Sequence, residues 1–367
     1  MTLLRWFREN GRELPWRETQ DAYAIWLSEI ILQQTRIEQG RPYWERFMRR
    51  WPTVEALATA SEDEVLREWQ GLGYYSRARN LHAAAKQVVA QGGFPTTLEG
   101  IKALKGVGDY TAAAIGSFAF GLPAAVVDGN VYRVLSRHFG IDTPINSTEG
   151  KKVFAALAQS LLPTASSDYN QALMDFGAMQ CTPASPRCGD CPLAESCVAL
   201  REGRVTELPV KLKTLKIRER HLTYIYIRWN GQTAIRRRPA GDIWQGLYEP
   251  VSIEWTQVHG QLIIDNGKLP SAHGQLIIDN GKLPSAHGQL IIESWASQNN
   301  YQLSIANCQL LASQVKHVLT HRVLYADFWL WETNEQPALP EGYFWIDEAD
   351  MDRYAVPRLI EILLKKI

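Results

Sequence analysis

Residues 104–108, Leu-Lys-Gly-Val-Gly, join two helix-forming runs, 98–104 and 110–120, and no other stretch restricts the fold as much. Two glycines in so tight a connection predict backbone of positive φ and a close approach by whatever docks there. The helix that follows points its free N–H groups and positive dipole end the same way as the hairpin amides. Gly106, Val107 and Gly108 thereby offer an anion site built from backbone, suited to a phosphate. Farther on, Asp128 follows the apolar run 124–127 and precedes a helix with Val131, Val134, Leu135 and His138 on one face. An aspartate there reads as an N-cap or as a functional carboxylate, and pattern alone leaves both open.

From residue 21 to about residue 180 the pattern is helix after helix, interrupted at Pro52, Gly71-Leu72-Gly73, residues 92–95, residues 121–123 and Pro163. Residues 21–39 read as one helix with Ile25, Trp26, Ile30 and Ile37 on a broad apolar face. No alternating strand precedes His221. Past it the character changes: 223–229 alternates, and 232–237 is its hairpin partner across Asn230-Gly231. Residues 317–324 and 325–331 are β-branched or aromatic, and 356–365 closes the chain as a helix. The chain therefore reads as two domains, all-α then α+β, and its 367 residues suffice for both. HGQLIIDNGKLPSA fills 259–272, recurs unchanged at 273–286 and begins again at 287–292. Identical copies point to a local duplication, expected as a loop or flexible insertion in which each Asp-Asn-Gly can turn a small hairpin.

Net charge is zero, so its distribution matters more than its sum. Residues 201–240 hold eleven Lys and Arg against three acids, a strip able to follow a phosphate backbone or simply to be solvated. No run reaches membrane-span length and no signal-peptide core is present, so a cytoplasmic location is the expectation. Four of the five cysteines, Cys181, Cys188, Cys191 and Cys197, fall in one short stretch. That spacing binds tetrahedral zinc or an iron–sulfur cluster. A single C-x-x-C pair with ligands close on either side suits a [4Fe-4S] cluster better than zinc does.

The glycine hairpin, an aspartate some twenty residues on and the cysteine loop together resemble the helix-hairpin-helix DNA glycosylases of the iron–sulfur branch. Two activities occur there: endonuclease III-like removal of oxidised pyrimidines, and adenine removal by the MutY family. In the bifunctional enzymes a lysine two residues past the second hairpin glycine attacks the sugar. Tyr110 stands there instead, and a phenol forms no imine. Residues 26–35, WLSEIILQQT, with Pro15-Trp16-Arg17 ahead of them, are similar to the adenine-glycosylase signature. The resemblance implies a multidomain fold: an all-α helix-hairpin-helix glycosylase with its cluster loop, and a C-terminal α+β MutT (Nudix)-like domain. The expected boundaries are a catalytic region at 1–200, with a six-helix module at 21–129 and a cluster-bearing part from 1–20 and 130–200. A basic linker at 201–220 follows, then a lesion-recognition domain at 221–367 carrying the insertion 259–292.

Glu29 sits among Ile25, Trp26 and Ile30, where the charged carboxylate is disfavoured, as a general acid requires; a plain arginine partner in the core is the alternative. The resemblance implies that Glu29 and Asp128 divide the work, that Tyr110 and Asn130 flank the sugar, and that Arg17 orients the cluster. It places Gln34 and Tyr74, with Thr35 and Leu72 beside them, against an opened duplex. In the second domain, residues 241–250 resemble the glycine–tryptophan segment of MutT-like domains, but no glutamate-rich Nudix box is present. Leu319, Thr320 and His321 stand where the family's Phe-Ser-His loop reads 8-oxoguanine. The implied function is monofunctional excision of adenine opposite 8-oxoguanine or guanine in double-stranded DNA by a monomer, without lysine-dependent strand cleavage.

Overall fold

The computed structural model describes residues 2–164, 166–212, 217–258, 261–264, 267–268, 292–293, 296–297 and 308–367. These divide into two units: residues 1–61 with 76–214, and residues 62–75 with 215–367.

The first unit is helical. Helix α1 (Thr2–Asn10) leads through a short 3-10 turn, Pro15–Arg17, to α2 (Ala22–Ile31), α3 (Ile37–Arg50) and α4 (Val54–Thr59). Asp21 caps α2 by accepting from the Tyr23 amide at 3.0 Å. The expected single helix over 21–39 is two helices. Residues 32–36 break it, with Gln34 left-handed at φ 54°. A side chain distant in sequence stabilises the break: the buried Arg77 guanidinium donates to the carbonyls of Ile30 (3.1 Å), Ile31 (2.9 Å) and Gln33. Those carbonyls lie at a helix C-terminus, where a cation also meets the favourable end of the dipole.

The unit continues with α5 (Ser76–Ala90), which carries Arg77, then α6 (Leu98–Lys102) and α7 (Asp109–Phe120), the last two joined by the hairpin. Of the hairpin glycines only Gly106 needs positive φ, at 79°; a Cβ there would meet Asn80 at 2.7 Å. Gly108 is extended and caps α7. Next come α8 (Gly129–Phe139), α9 (Thr148–Ser160), α10 (Ser166–Met179) and α11 (Val198–Arg201). Trp6, Val131, Leu135, Phe154 and Phe176 pack one core, with Trp6 edge-on to Phe176 at 5.0 Å.

The second unit holds one mixed sheet. Strand β1 (Arg218–Trp229) turns through Asn230 (φ 47°) and Gly231 (φ 74°) into β2 (Gln232–Arg237), the predicted hairpin. Strand β3 (Tyr248–Val258) pairs antiparallel with both, and β7 (Arg322–Thr333) runs parallel to β1 along its whole length. Residues Leu222, Thr223, Tyr224, Ile225, Tyr226 and Ile227 are all buried, so the alternation in β1 separates two covered faces, not core from solvent. Strand β6 (Cys308–Val318) flanks β7, and β8 (Tyr343–Asp347) pairs with β2. Residues 317–324, which read as strand, include the turn between β6 and β7. The final helix is Arg358–Leu364.

The first repeat copy is not simply a loop. Its strands β4 (Gln261–Ile264) and β5 (Gly267–Lys268) pair antiparallel and extend the sheet beyond β3. The second copy, 273–286, lies outside the described residues. Within 241–250, Trp244, Leu247 and Tyr248 are buried, and the buried Glu249 is taken up by Arg236 at 2.9 Å and by Arg238.

Candidate active site

Helix α2 places Glu29 on its buried side, 8% exposed, because Tyr23 through Ile31 are all covered. Helix α7 brings Tyr110 to it, and the phenol donates to Glu29 Oε2 at 2.8 Å. Burial lifts the Glu29 carboxyl to about 7; the Tyr110 bond and Arg17 oppose that rise and Asp128 adds to it. Tyr110 itself is pushed far above the usual phenol range, first by burial, then by Glu29 and Asp128.

Asp128 takes the N-cap position that the sequence allowed. It caps α8, its Oδ1 accepting from the amides of Asn130 (2.9 Å) and Val131 (2.8 Å), while its Oδ2 accepts from Asn130 Nδ2 at 2.7 Å. Burial raises its carboxyl, and these N–H donors, with Arg133, pull the other way. Asn130 is fixed in turn by Arg133, which donates to its Oδ1 at 2.8 Å. Glu29, Tyr110, Asp128, Asn130 and Arg17 all line one cavity of about 960 Å³, together with Trp16, Leu32, Gln33, Gln34 and Thr35.

Arg17 lines that cavity, but its hydrogen-bond partner is Asp175, reached at 2.8 Å through both Nη atoms, with Arg12 on the same carboxylate. Sequence reasoning missed Arg12 and Asp175, whose sequence neighbourhoods carry no signal. It missed Arg77 and Arg133 for the same reason: each acts on backbone or side chains that sequence pattern does not place beside it.

The hairpin is present, yet Val107 is buried and its amide donates to the Leu104 carbonyl at 3.1 Å, so it is committed to the turn. Around Gly108 nothing would meet a Cβ within 4 Å, which leaves its backbone open to approach. In the second unit Leu72 is buried, whereas Tyr74 is 47% exposed with φ 48° and hydrogen-bonds Thr320. Leu319 is half-buried, Thr320 and His321 are exposed, and all three sit in the turn between β6 and β7.

Cys181, Cys188, Cys191 and Cys197 line one small cavity with Arg137, and none is in a disulfide. Burial and the neighbouring cysteines push Cys188 and Cys191 above the usual thiol range. Four thiolates there need more positive charge than Arg137 alone brings, so the donor set fits a cationic metal centre. Among the described residues no three His, Cys, Asp or Glu side chains converge on a single-ion site. Helix α8 grips this loop: Arg133 Nε donates to the Cys181 carbonyl at 2.7 Å and Arg137 to that of Thr182 at 2.7 Å.

A buried carboxyl pushed up to about 7, a second carboxylate at a helix start and a hairpin open at Gly108 fit a base-excision glycosylase. In agreement, residues 27–161 match the HhH-GPD superfamily base excision DNA repair proteins, and 223–366 match the NUDIX domain. The chain is 34% identical over 250 residues to the adenine DNA glycosylase of Buchnera aphidicola subsp. Schizaphis graminum, covering 67% of this chain and 72% of that one. It is 44% identical over 210 residues to the Homo sapiens adenine DNA glycosylase, covering 54% of this chain and 38% of the human protein. Among solved structures, a thermostable thymine-DNA glycosylase aligns at 32% identity and TM-score 0.51 over 55% of this chain and 94% of its own. The chain belongs to the MutY family of adenine DNA glycosylases. Among the described residues no helix is long and apolar enough to cross a membrane.

Proposed function

We propose that this protein is a monofunctional glycosylase that removes adenine opposite 8-oxoguanine or guanine from double-stranded DNA, acting as a monomer. The observation that carries the reading is Glu29, a carboxyl that burial pushes up to about 7 and that shares one cavity with Tyr110 and Asp128. Base release needs a better leaving group and a stabilised oxocarbenium-like sugar, and two carboxylates can divide that work. Glu29 delivers its proton to adenine N7 and then takes one from the attacking water. Asp128 in its carboxylate form, which its N–H donors favour against the opposing effect of burial, stabilises or briefly captures the C1′ cation. Tyr110 and Asn130 flank the sugar. Tyr110 supplies no amine, so the product is an abasic site in an uncut strand.

The base reaches this cavity after leaving the stack, with Gln34, Thr35 and Tyr74 against the opened duplex and the Gly106 and Gly108 backbone on a phosphate. Leu319, Thr320 and His321 face the lesion strand. Cys181, Cys188, Cys191 and Cys197 would hold a [4Fe-4S] cluster, whose cross-linking would order the loop that Arg133 and Arg137 tie to α8.

Duplexes with adenine opposite 8-oxoguanine, guanine or cytosine, incubated with the protein and then treated with alkali, test the reading. Breaks at adenine opposite 8-oxoguanine appear only after alkali. Breaks before alkali, or at an oxidised pyrimidine but not at adenine, would replace it with the endonuclease III-like activity; tight binding without any product would leave a DNA-binding module.

A further inference from the structure

We infer that Asp175 is a positioning residue for excision: it takes the Arg17 guanidinium as its own ion-pair partner and so limits the positive charge that Glu29 meets. The inference rests on the proposed role of Glu29. Asp175 lies on α10 with its side chain fully buried, and it is reached from the segment between α1 and α2. Arg17 Nη1 meets Oδ2 and Nη2 meets Oδ1, each at 2.8 Å, a fork-to-fork pair that fixes the plane of the guanidinium. Arg12 adds its amide at 2.9 Å and its Nε at 2.9 Å to the same carboxylate. The Arg17 Nη1 also donates to the Arg12 carbonyl at 3.0 Å. Two guanidinium groups thus share one carboxylate, and both line the cavity that holds Glu29.

Three groups act on Glu29: Tyr110 from α7, Asp128 from the start of α8, and Arg17 from the 3-10 turn. Arg17 is the one cation among them, and it works against the retained proton. Asp175 is held ionised: burial opposes its charge, but the bonds from Arg17 and Arg12 outweigh burial and set its carboxyl below the usual range. An arginine left unpaired beside the cavity would favour ionised Glu29, whereas a neutral residue in place of Arg17 would favour the protonated acid. The arginine can then stay beside the substrate at little cost to the acid.

The test follows Glu29 in Asp175→Asn, Asp175→Glu, Arg17→Met and the Arg17→Met/Asp175→Asn double variant. Two readouts serve: a 13C-carboxyl titration of the DNA-free protein, and the pH dependence of single-turnover excision. Asp175→Asn should move the Glu29 titration and the alkaline limb of the rate down by about one pH unit, the scale of a nearby opposite charge. Arg17→Met should move both up, Asp175→Glu should leave them in place, and the double variant should return close to the wild type. A structural role alone would lower the rate at every pH and leave the titration where it was, which overturns the inference. If Asp175→Asn does not fold, the Arg17→Met titration decides: upward supports the inference, unmoved ends it. A wild-type protein without excision defeats the functional reading, while the carboxyl titration still judges the Asp175 arrangement.

Discussion

Glu29 is stabilised as an acid at the expense of the fold, and that has a sign which can be measured. Its ordinary value of 4.5 rises to about 7 in the folded protein, so folding favours the protonated form. The contribution is fully present below 4.5 and is lost as pH rises to about 7, beyond which the charged carboxylate costs about 3 kcal/mol. Glu29→Gln should therefore match the wild type in urea denaturation at pH 4 and exceed it by up to about 3 kcal/mol at pH 8. The same variant should lose excision by about two to four orders of magnitude, the usual worth of a general acid. Equal stability of the two proteins at pH 8 would show that the carboxylate is not desolvated. Asp128 permits a different separation. Asparagine caps a helix about as well as aspartate, so Asp128→Asn should keep α8 and the melting temperature within a few degrees while excision collapses. Excision retained by that variant would reduce Asp128 to its cap. Glu29 and Tyr110 were each singled out in sequence because each sits in a short local pattern, but the hydrogen bond between them was not foreseen. Asp175 was not: its partners Arg17 and Arg12 lie 158 and 163 positions away, and no local spacing encodes such a pair.

Among the elements, the break between α2 and α3 shows where periodicity fails. Ile30 and Ile37 lie two helical turns apart on either side of the break, so the pattern predicts one helix. The chain instead turns at Gln34, in a conformation that costs an ordinary residue about 1–2 kcal/mol. Arg77, from 46 positions away in one of its bonds, satisfies the carbonyls left open there. The turn carries Gln33, Gln34 and Thr35 to the cavity wall, so the strain lies at the proposed duplex contact. Gln34→Gly should relieve it: by chemical denaturation the variant should be as stable as the wild type or up to about 1 kcal/mol more so. Extrusion of adenine, followed by a fluorescent base analogue at the target position, should nonetheless slow. Destabilisation by more than about 1 kcal/mol would mean that the glutamine side chain itself holds the turn. Helix α8 behaves oppositely. Its start and its apolar face were readable, because Asp128, Val131, Val134 and Leu135 lie within two turns.

At the scale of the whole chain, the change from helices to strands was legible since the hydrophobic period switches just past His221. The grouping of 62–75 with 215–367 was not, because the Gly71-Leu72-Gly73 break there resembles the other interruptions of the helical pattern and nothing in it points to the second unit. The repeat is the remaining large-scale feature. Its first copy supplies β4 and β5 to the sheet edge, paired through Trp255↔Ile264 and Val258↔Gln261. Residues 273–278 are identical to 287–292, so deleting 273–286 leaves the sequence that follows the first copy unaltered as far as position 292. Shortening the connection between β5 and β6 by one copy changes its closure entropy by less than about 0.6 kcal/mol. The deletion should accordingly keep the melting temperature within about 2 °C by calorimetry for a chain of this size, and should keep the wild-type rate on adenine opposite 8-oxoguanine. A fall of more than about 5 °C would give the second copy a structural role. A selective loss of discrimination between 8-oxoguanine and guanine, at unchanged stability, would place that copy in lesion reading instead.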